Sequence, residues 1–408
     1  MSRTPVANPN PPALPCDTGA VAAWLVDGAR SASKSEDVLT EMCVRLTHCG
    51  LPLWRVAVYV NTLHPQIFAR RFLWKPGAHA DVAEAPFAFA ANAGFRDSPI
   101  TRIRQSGETI RRRLADPDCP MDYEILKEMR AEGASDYLAA PLPFTNGEIH
   151  VASFVTQQAG GFSDAEIAAL ETILPPLSRV AEVRALRRTA VNLLDAYVGH
   201  DAGERILDGR IQRGDAETIR AAIWLSDLRG FTRLADTIAP QALIERLNIF
   251  FDCLVPAIEA EKGEVLKFMG DGLLAIFRFD DEAEINAACA RALRAARQAR
   301  ANVDALPAFG EGDAEARLRF GLALHVGEAL YGNIGGGGRL DFTCIGPPIN
   351  MAARLEKIAS KLGRVIVASS AFAARLPDDF IALGAFELAG FREAQTVYGL
   401  RGEDERAR

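Results

Sequence analysis

The segment 221–277 reads AAIWLSDLRGFTRLADTIAPQALIERLNIFFDCLVPAIEAEKGEVLKFMGDGLLAIF. It opens on an apolar run, AAIWL, which is short enough for a buried strand, and Asp227 comes just past that run. Gly230 then permits a tight turn, and Thr232 is a candidate helix cap. The segment therefore predicts a strand that ends on a carboxylate beside a glycine turn.

A helix and two further strands follow. Apolar residues recur at helical spacing, namely Leu243, Ile244, Leu247, Phe250, Phe251 and Leu254. Residues 264–268 and 273–277 read as strands, and the sequence MGDG turns the chain between them at Asp271. An aspartate beside a glycine is, taken alone, most often a turn residue. Two carboxylates on adjacent strands, however, suit Mg²⁺, which prefers oxygen ligands and keeps positions open for phosphate oxygens.

Together with its continuation LRFGLALHVGEALYGNIGGGGRLDFTCIGPPINMAARLEKIA at 318–359, this segment resembles the catalytic domain of the class III adenylate/guanylate cyclases. The resemblance runs from about Ile211 to Leu400. Three motifs carry it in combination: strand–Asp–x–x–Gly–Phe–Thr, Lys–x–x–Gly–Asp–Gly and Asn–x–x–x–Arg. It implies an α/β (α+β) domain with a ferredoxin-like βαββαβ core.

The resemblance implies a role for the residues at the phosphate end of the substrate. Asp227 and Asp271 would bind two Mg²⁺ or Mn²⁺ ions. The triphosphate would face a helix N-terminus, where the dipole favours anions. The backbone groups that the resemblance places there belong to Leu228, Gly230, Phe231 and Thr232.

The resemblance also implies which residues contact the base, the ribose and the reacting phosphate. Lys267 and Thr343 occupy the two base-reading positions, and a Lys donor with a Thr hydroxyl suits adenine N1 and N6. Asn350 would orient the ribose, and Arg354 would stabilise negative charge on the α-phosphate. The chain is thus expected to be a homodimeric adenylate cyclase that converts ATP to 3′,5′-cyclic AMP and pyrophosphate.

Several alternatives stay open. Lys267 alone is also compatible with a solvated strand residue, and Arg354 with an ion pair to Glu356 or Glu328. A guanylate cyclase is disfavoured by Lys267. A catalytically silent module that binds nucleotide or a partner is disfavoured by the complete set of six side chains, and a polymerase-type enzyme by the acidic balance.

The sequence departs from the family pattern at two places. Many members carry a basic residue for the terminal phosphates where this chain has Ala389, and Arg392 is a candidate substitute. Pro347 and Pro348 follow Gly346, which predicts a stiff turn before the helix of Asn350.

Composition and charge argue against other classes of protein, namely nucleic-acid-binding, membrane and secreted proteins. The chain has 408 residues, a net charge of −7 and a pI near 5.6, so a nucleic-acid partner is not expected. No apolar run approaches the ~18 residues of a membrane span, and the N-terminus lacks a signal-peptide core. Seven cysteines, an odd number without a CxxC pair, indicate a cytoplasmic protein with reduced, mostly buried thiols.

The remaining sequence predicts a regulatory half. Residues 1–16 read as a disordered tail, and 17–180 resemble a GAF-type sensor domain in element order, with a small-molecule or protein effector. A dimerisation or scaffold domain without a ligand is the alternative. Residues 181–215 read as a helical linker, which either forms a coiled coil or packs on its own domain. The catalytic domain occupies 216–402, and 403–408 form a tail.

Local signals predict three further features. Pro175 and Pro176 are expected to interrupt the helix that begins after Ser163. The glycines at 335–338 read as a hairpin tip, or alternatively as a phosphate loop that lacks the following Lys-Ser/Thr. The last strands are predicted at 365–368, 386–388 and 396–400. The scattered histidines do not favour a haem site.

Overall fold

The computed structural model describes residues 17–309, 317–336 and 338–403. The chain divides into two compact units, with the boundary between Leu193 and Leu194. The predicted tail at 1–16, and the tail at 403–408 beyond Glu403, lie outside the described residues. No helix in the described ranges combines the length and apolar character that a membrane crossing requires.

The first unit is built on a six-stranded antiparallel sheet. Its strands are β1 (Arg55–Asn61), β2 (Ile67–Trp74), β3 (Asp81–Pro86), β4 (Ile110–Arg112), β5 (Asp136–Pro143) and β6 (Ile149–Thr156). They lie side by side in the order β3-β2-β1-β6-β5-β4. Neighbouring residues alternate between the two faces, so Phe154 and Val155 enter different apolar cores.

Helices cover both faces of this sheet. They are α1 (Gly19–Val26), α2 (Ser35–His48), α3 (Phe87–Ala90), α4 (Ala93–Arg96), α5 (Pro99–Ser106), α6 (Glu124–Ala131) and α7 (Asp164–Val198). Leu39 of α2 and Leu170 of α7 pack on one face, and Ile103 of α5 and Leu126 of α6 on the other. The unit is therefore a three-layer arrangement with the sheet in the middle.

Helix α7 passes through Pro175 and Pro176 without a break, so the predicted interruption is wrong. A proline removes one backbone hydrogen bond and crowds the preceding turn. Ile173 and Leu177, on either side of the pair, are fully or almost fully buried in the core of the first unit. Burial of apolar side chains on both sides of the prolines therefore outweighs the free-energy cost of the lost backbone hydrogen bonds.

The second unit contains an eight-stranded sheet. Its strands are β7 (Ala216–Leu228), β8 (Glu264–Met269), β9 (Gly272–Arg278), β10 (Phe320–Gly336), β11 (Arg339–Ile345), β12 (Ile366–Ser369), β13 (Phe380–Phe386) and β14 (Gln395–Leu400). Seven follow the order β13-β14-β12-β10-β7-β9-β8, and β11 pairs with β10. The strand predicted at 386–388 is thus misplaced, because the pairing segment ends at Phe386.

The helices of this unit are α8 (His200–Leu207), α9 (Phe231–Thr237), α10 (Pro240–Ala260), α11 (Ile285–Asp304), α12 (Pro347–Leu362) and α13 (Ser370–Ala373), with a 3-10 turn at Glu282–Glu284. The expected βαββαβ core is present as β7, α10, β8, β9, α11 and β10. Buried Trp224 and Phe277 of the sheet pack against α10 and α11 in one cluster. Residues 335 and 336 continue β10, and Gly336 pairs with Arg339, which agrees with a hairpin tip.

Five cysteines in the described ranges carry free thiols, namely Cys43, Cys119, Cys253, Cys289 and Cys344. All but Cys119 are buried. Cys49 is disulfide-bonded, so the expectation of reduced thiols is wrong at this position.

Candidate functional site

The two predicted metal-binding carboxylates lie side by side. Asp227 is the penultimate residue of β7 and pairs with Gly272 of β9, and Asp271 directly precedes that strand. Their side chains share a hydrogen bond. Gly272 leaves room for this arrangement, because a Cβ there would lie 3.0 Å from the Ser226 carbonyl oxygen and 3.1 Å from Asp227 Oδ1.

The carboxylate pair has too little positive charge around it. Burial, followed by the charges of Asp271 and Glu356, raises the pKa of Asp227 to about 6. Burial also raises the pKa of Asp271 above its usual range. A divalent cation would relieve this repulsion, and its oxygen preference fits the two side chains. No group of three or more His, Cys, Asp and Glu suited to a metal occurs in the described ranges, so the set is a pair.

An ion pair that the sequence analysis missed lies beside the carboxylates. Arg229 Nη1 and Glu356 Oε1 are 3.6 Å apart, and the two side chains are 18% and 11% exposed. Gly321 on β10 makes the space, since a Cβ there would overlap the Arg229 guanidinium and lie 2.8 Å from Glu356 Oε1. One sequence signal was available: Glu356 falls on the apolar stripe of α12, and a buried charge needs a partner.

Glu356 fixes which way α12 faces. Its charge acts on both Asp227 and Asp271, so this side of the helix is directed at the chain's own carboxylates. An α-helix turns about 100° per residue, so Arg354 lies about 160° and Asn350 about 120° around the helix from Glu356, both on the same side. The two predicted catalytic residues therefore lie on a face of α12 that points away from the side carrying Glu356.

Arg354 has none of the ion pairs considered from the sequence. Glu356 pairs with Arg229, and Glu328 lies 3.0 Å from Arg220. Arg354 Nε instead donates to the carbonyl oxygen of Ala389 at 3.2 Å. This contact ties the arginine to the loop in which the sequence lacks the expected basic residue. Arg392, the candidate substitute, is exposed in the same loop.

The predicted base-reading residues gather around β8 and β11. Lys267 of β8 donates a hydrogen bond to the carboxylate of Asp341 on β11. Thr343 is two residues beyond Asp341 and therefore on the same face of that strand. A cavity of about 960 Å³ is lined by Lys267, Phe268 and Asp341 among others. None of the sequence motifs contains Asp341, so only its contact with Lys267 connects it to this group.

The predicted phosphate-binding backbone is only partly as expected. Gly230 is the N-cap of α9, with a φ of 71°, and Thr232 lies in the first turn, so the prediction of a Thr232 cap is wrong. A left-handed residue is needed there, which glycine adopts at little cost. Leu228 is buried in the core. Its neighbour Arg229 donates its backbone N–H to the Arg319 carbonyl at 2.7 Å, whereas Phe231 and Thr232 begin the helix.

Comparison with known proteins points to one family for the second unit. Residues 215–402 match the family model described as adenylate and guanylate cyclase catalytic domain. Adenylate cyclase 1 of Rhizobium meliloti is 27% identical over 259 residues, 61% of this chain and 38% of that protein. An adenylate cyclase of Anabaena cylindrica is 27% identical over 196 residues, 47% of this chain and again 38% of the relative. The chain thus spans well under half the length of these curated relatives.

A solved structure of an adenylyl cyclase from P. aeruginosa is 21% identical, with a TM-score of 0.38 over 46% of this chain and 95% of the other. The sequence similarity of the second unit is therefore to the catalytic domains of adenylate and guanylate cyclases, over residues 215–402.

We predict that Asp227→Asn stabilises the metal-free protein. The folded chain retains a proton on Asp227 at a pH where the unfolded chain has lost it, so wild-type stability rises as pH falls from about 6 towards 4. A shift of this size corresponds to about 3 kcal/mol, which solvent screening reduces to about 1 kcal/mol. In EDTA at pH 7.5 the variant should therefore melt about 2–4 °C higher.

The measurement is thermal unfolding of both proteins in EDTA between pH 4 and 8. Asp252→Asn, an exposed carboxylate on α10, is the control and should melt like wild type. Added Mn²⁺ should stabilise wild type and not Asp227→Asn. A variant that melts below wild type at pH 7.5 without metal would contradict the repulsion described above.

Proposed function

We propose that the second unit is the catalytic domain of an adenylate cyclase, which converts ATP to 3′,5′-cyclic AMP and pyrophosphate. The observation that carries the proposal is the under-neutralised pair Asp227–Asp271, held by adjacent strands inside the segment that matches the cyclase model. Attack of the ribose 3′ hydroxyl on the α-phosphate requires polyphosphate binding, an oriented ribose and positive charge near the reacting phosphate.

Each proposed residue supplies one of these requirements. Asp227 and Asp271 would hold two Mg²⁺ or Mn²⁺ ions. Such ions, when bound, supply charge to the phosphate oxygens and lower the pKa of the attacking hydroxyl. Arg354 contributes a guanidinium beside the α-phosphate, and Asn350 on the same helix face hydrogen-bonds the ribose. The backbone of residues 228–232 faces the terminal phosphates.

Adenine is favoured over guanine by the charge at β8. Lys267 is a donor for adenine N1, and the Thr343 hydroxyl lies on the strand with which Lys267 interacts. Asp341 holds the ammonium group towards that strand, and its carboxylate is a hydrogen-bond acceptor of the kind that the exocyclic amine of adenine requires. Guanylate cyclase is the second candidate, because the matching family model includes both enzymes. A silent nucleotide-binding module is the third.

Each active site is proposed to form between two copies of the chain. The support is the direction of α12, whose Glu356 side faces the chain's own carboxylates while Asn350 and Arg354 face away. Exposed apolar residues on the strands that carry Lys267 and Thr343 also favour an interface. They are Phe268 and Met269 of β8 and Leu340 and Ile345 of β11. In the proposed homodimer, Asp227 and Asp271 of one chain therefore meet the other four side chains of its partner.

The first unit is proposed to regulate this activity as a GAF-like domain over residues 17–180, with 181–215 as a linker to a catalytic domain at 216–402. The antiparallel sheet with helices on both faces is compatible with a sensor domain. A scaffold role without an effector is the alternative.

Turnover of purified full-length protein tests the proposed reaction. With Mn²⁺ and ATP the product should be cyclic AMP, at a rate well above cyclic GMP formation from GTP. Asp271→Ala should lose more than 99% of this activity and stay folded, since the residue lies in a turn. Asp252→Ala, on the exposed side of α10, should keep it. If wild type forms neither cyclic nucleotide, or if Asp271→Ala stays active, the proposed reaction or metal site is wrong.

Base recognition predicts a charge-specific loss. Lys267→Glu should lower kcat/KM for ATP about 100-fold, because loss of a charge-assisted hydrogen bond costs up to ~3 kcal/mol. The same measurement on Lys127→Glu, an exposed lysine of the first unit, controls for the change in net charge. Unchanged ATP kinetics in Lys267→Glu would show that Lys267 does not contact the base.

The shared site predicts recovery of activity on mixing two inactive variants. Asp227→Ala and Arg354→Ala remove residues from different halves of the site, so a mixed dimer has one site with both lesions and one with none. Random exchange makes half of the dimers mixed, and activity should return to about a quarter of wild type. The measurement is cyclic AMP formation by the equimolar, re-equilibrated mixture.

The matched control is a mixture of Asp227→Ala with Asp271→Ala. Both lesions fall in the same half of the site, so neither site of a mixed dimer is complete and the mixture should stay inactive. If subunit exchange is demonstrated and the mixture of Asp227→Ala with Arg354→Ala is as inactive as this control, the active site is not formed between two chains.

A further inference from the structure

We propose that the first unit contains a binding site for a small aromatic anion, a carboxylate or a phosphate ester. The site is a cavity of about 460 Å³ on the sheet face that α5 and α6 cover, lined by β2, β3 and α5. This volume lies within the usual range for small-molecule sites. The charges and rings of its walls define the chemistry of the ligand.

The walls carry an excess of positive charge. The cavity's described lining residues include four arginines, Arg55, Arg70, Arg71 and Arg104, and one carboxylate, Glu84. Arg70 and Glu84 stand opposite each other on β2 and β3 and pair at 2.5 Å, and the register of Arg70 with Val60 puts this pair on the other face of the sheet. Asp81, outside the lining, lies 3.8 Å from Arg71, a distance at the limit of an ion pair. The cavity therefore lacks the anionic groups that would balance its guanidinium groups.

Of the three arginines on the cavity's side of the sheet, Arg71 and Arg104 have buried N–H groups without an acceptor, as does Arg70 on the other side. Nε of Arg71, and both Nε and Nη2 of Arg104, are shielded from solvent and have no hydrogen-bond partner in the described part of the chain. Burial lowers the pKa of Arg104 from its usual value, and the charge of Glu148 offsets this only in part. A carboxylate or phosphate accepts from the fork of an arginine in two parallel hydrogen bonds.

Elsewhere in the first unit a structural arginine has acceptors that the chain itself provides. Arg111, 25% exposed, donates to Asp136 at 2.7 Å and to the Phe162 carbonyl oxygen at 2.6 Å. Asp136 is completely buried, so the chain provides a carboxylate where an arginine serves packing alone. Arg104 has no such partner. A bound ligand would supply the hydrogen-bond acceptor that the buried N–H groups of Arg104 lack.

Aromatic rings adjoin the arginines. Phe95 packs edge-on against Phe68 at 5.7 Å and lies 5.4 Å from Phe89, measured between ring centroids. The Arg104 guanidinium is 5.9 Å from the centroids of both Phe68 and Phe95. Phe89 and Phe95 line the cavity with the buried ring of Tyr137. A flat aromatic body would stack on these rings while its anionic group meets Arg104 and Arg71.

Calorimetric titration of the full-length protein tests the site with chosen probes. 2-Naphthoate and 2-naphthyl phosphate represent the two anionic groups, and neutral 2-naphthamide keeps the ring and removes the charge. We expect one site per chain for at least one anion, with at least tenfold weaker binding of the amide. Equal affinity of the amide and the anions, or binding of none of the three, would overturn the proposal.

Variants locate the binding to the cavity. Arg104→Met and Arg71→Met should each lower the affinity for the anion at least tenfold and leave the affinity for the amide unchanged. Arg102→Met, an exposed arginine two residues away on the same helix, should bind like wild type. If Arg104→Met does not fold, Arg104→Lys replaces it and should weaken the anion while retaining some preference over the amide. Wild-type binding in a folded Arg104 variant would show that the ligand lies elsewhere. The readout is independent of nucleotide turnover.

Discussion

The repulsion between Asp227 and Asp271 is the interaction on which the second unit depends. Antiparallel pairing of β7 with β9 forces the two carboxylates together, since Asp227 lies opposite Gly272, the residue after Asp271. Arg229 offsets part of this charge, but it is paired with Glu356, and burial together with the nearby carboxylates still raises the pKa of Asp227. The fold therefore keeps a destabilising contact, which makes sense where a cation and a polyphosphate complete the site.

The ion pair of Arg229 with Glu356 has a consequence for assembly. It ties one side of α12 to the strand that carries Asp227, through the gap left by Gly321. Arg354 and Asn350 lie about 160° and 120° around the helix axis from Glu356, away from that strand. In the proposed dimer, a second chain would therefore supply these two residues to the site of Asp227.

Local signals in the sequence predicted the parts that depend on neighbours in sequence. The hairpin β8–β9 was predicted within one residue at each end because Gly270 and Gly272 flank Asp271. Asp227 and Asp271 were likewise predicted at strand ends beside glycine turns, where the structure has them. The Arg229–Glu356 pair and the unbroken α7 could not be predicted in this way, because both depend on packing between segments distant in sequence.

Each unit holds charge that the chain only partly compensates, negative in the second unit and positive in the first. The second retains a pair of carboxylates with raised pKa values, and the first retains Arg104 with buried N–H groups that lack acceptors. Each arrangement costs folding free energy, and the same chain elsewhere builds complete pairs such as Arg111–Asp136. Under the two proposals above, a ligand supplies the missing partner in each place: a cation at the carboxylates of the second unit and an anion at Arg104 of the first.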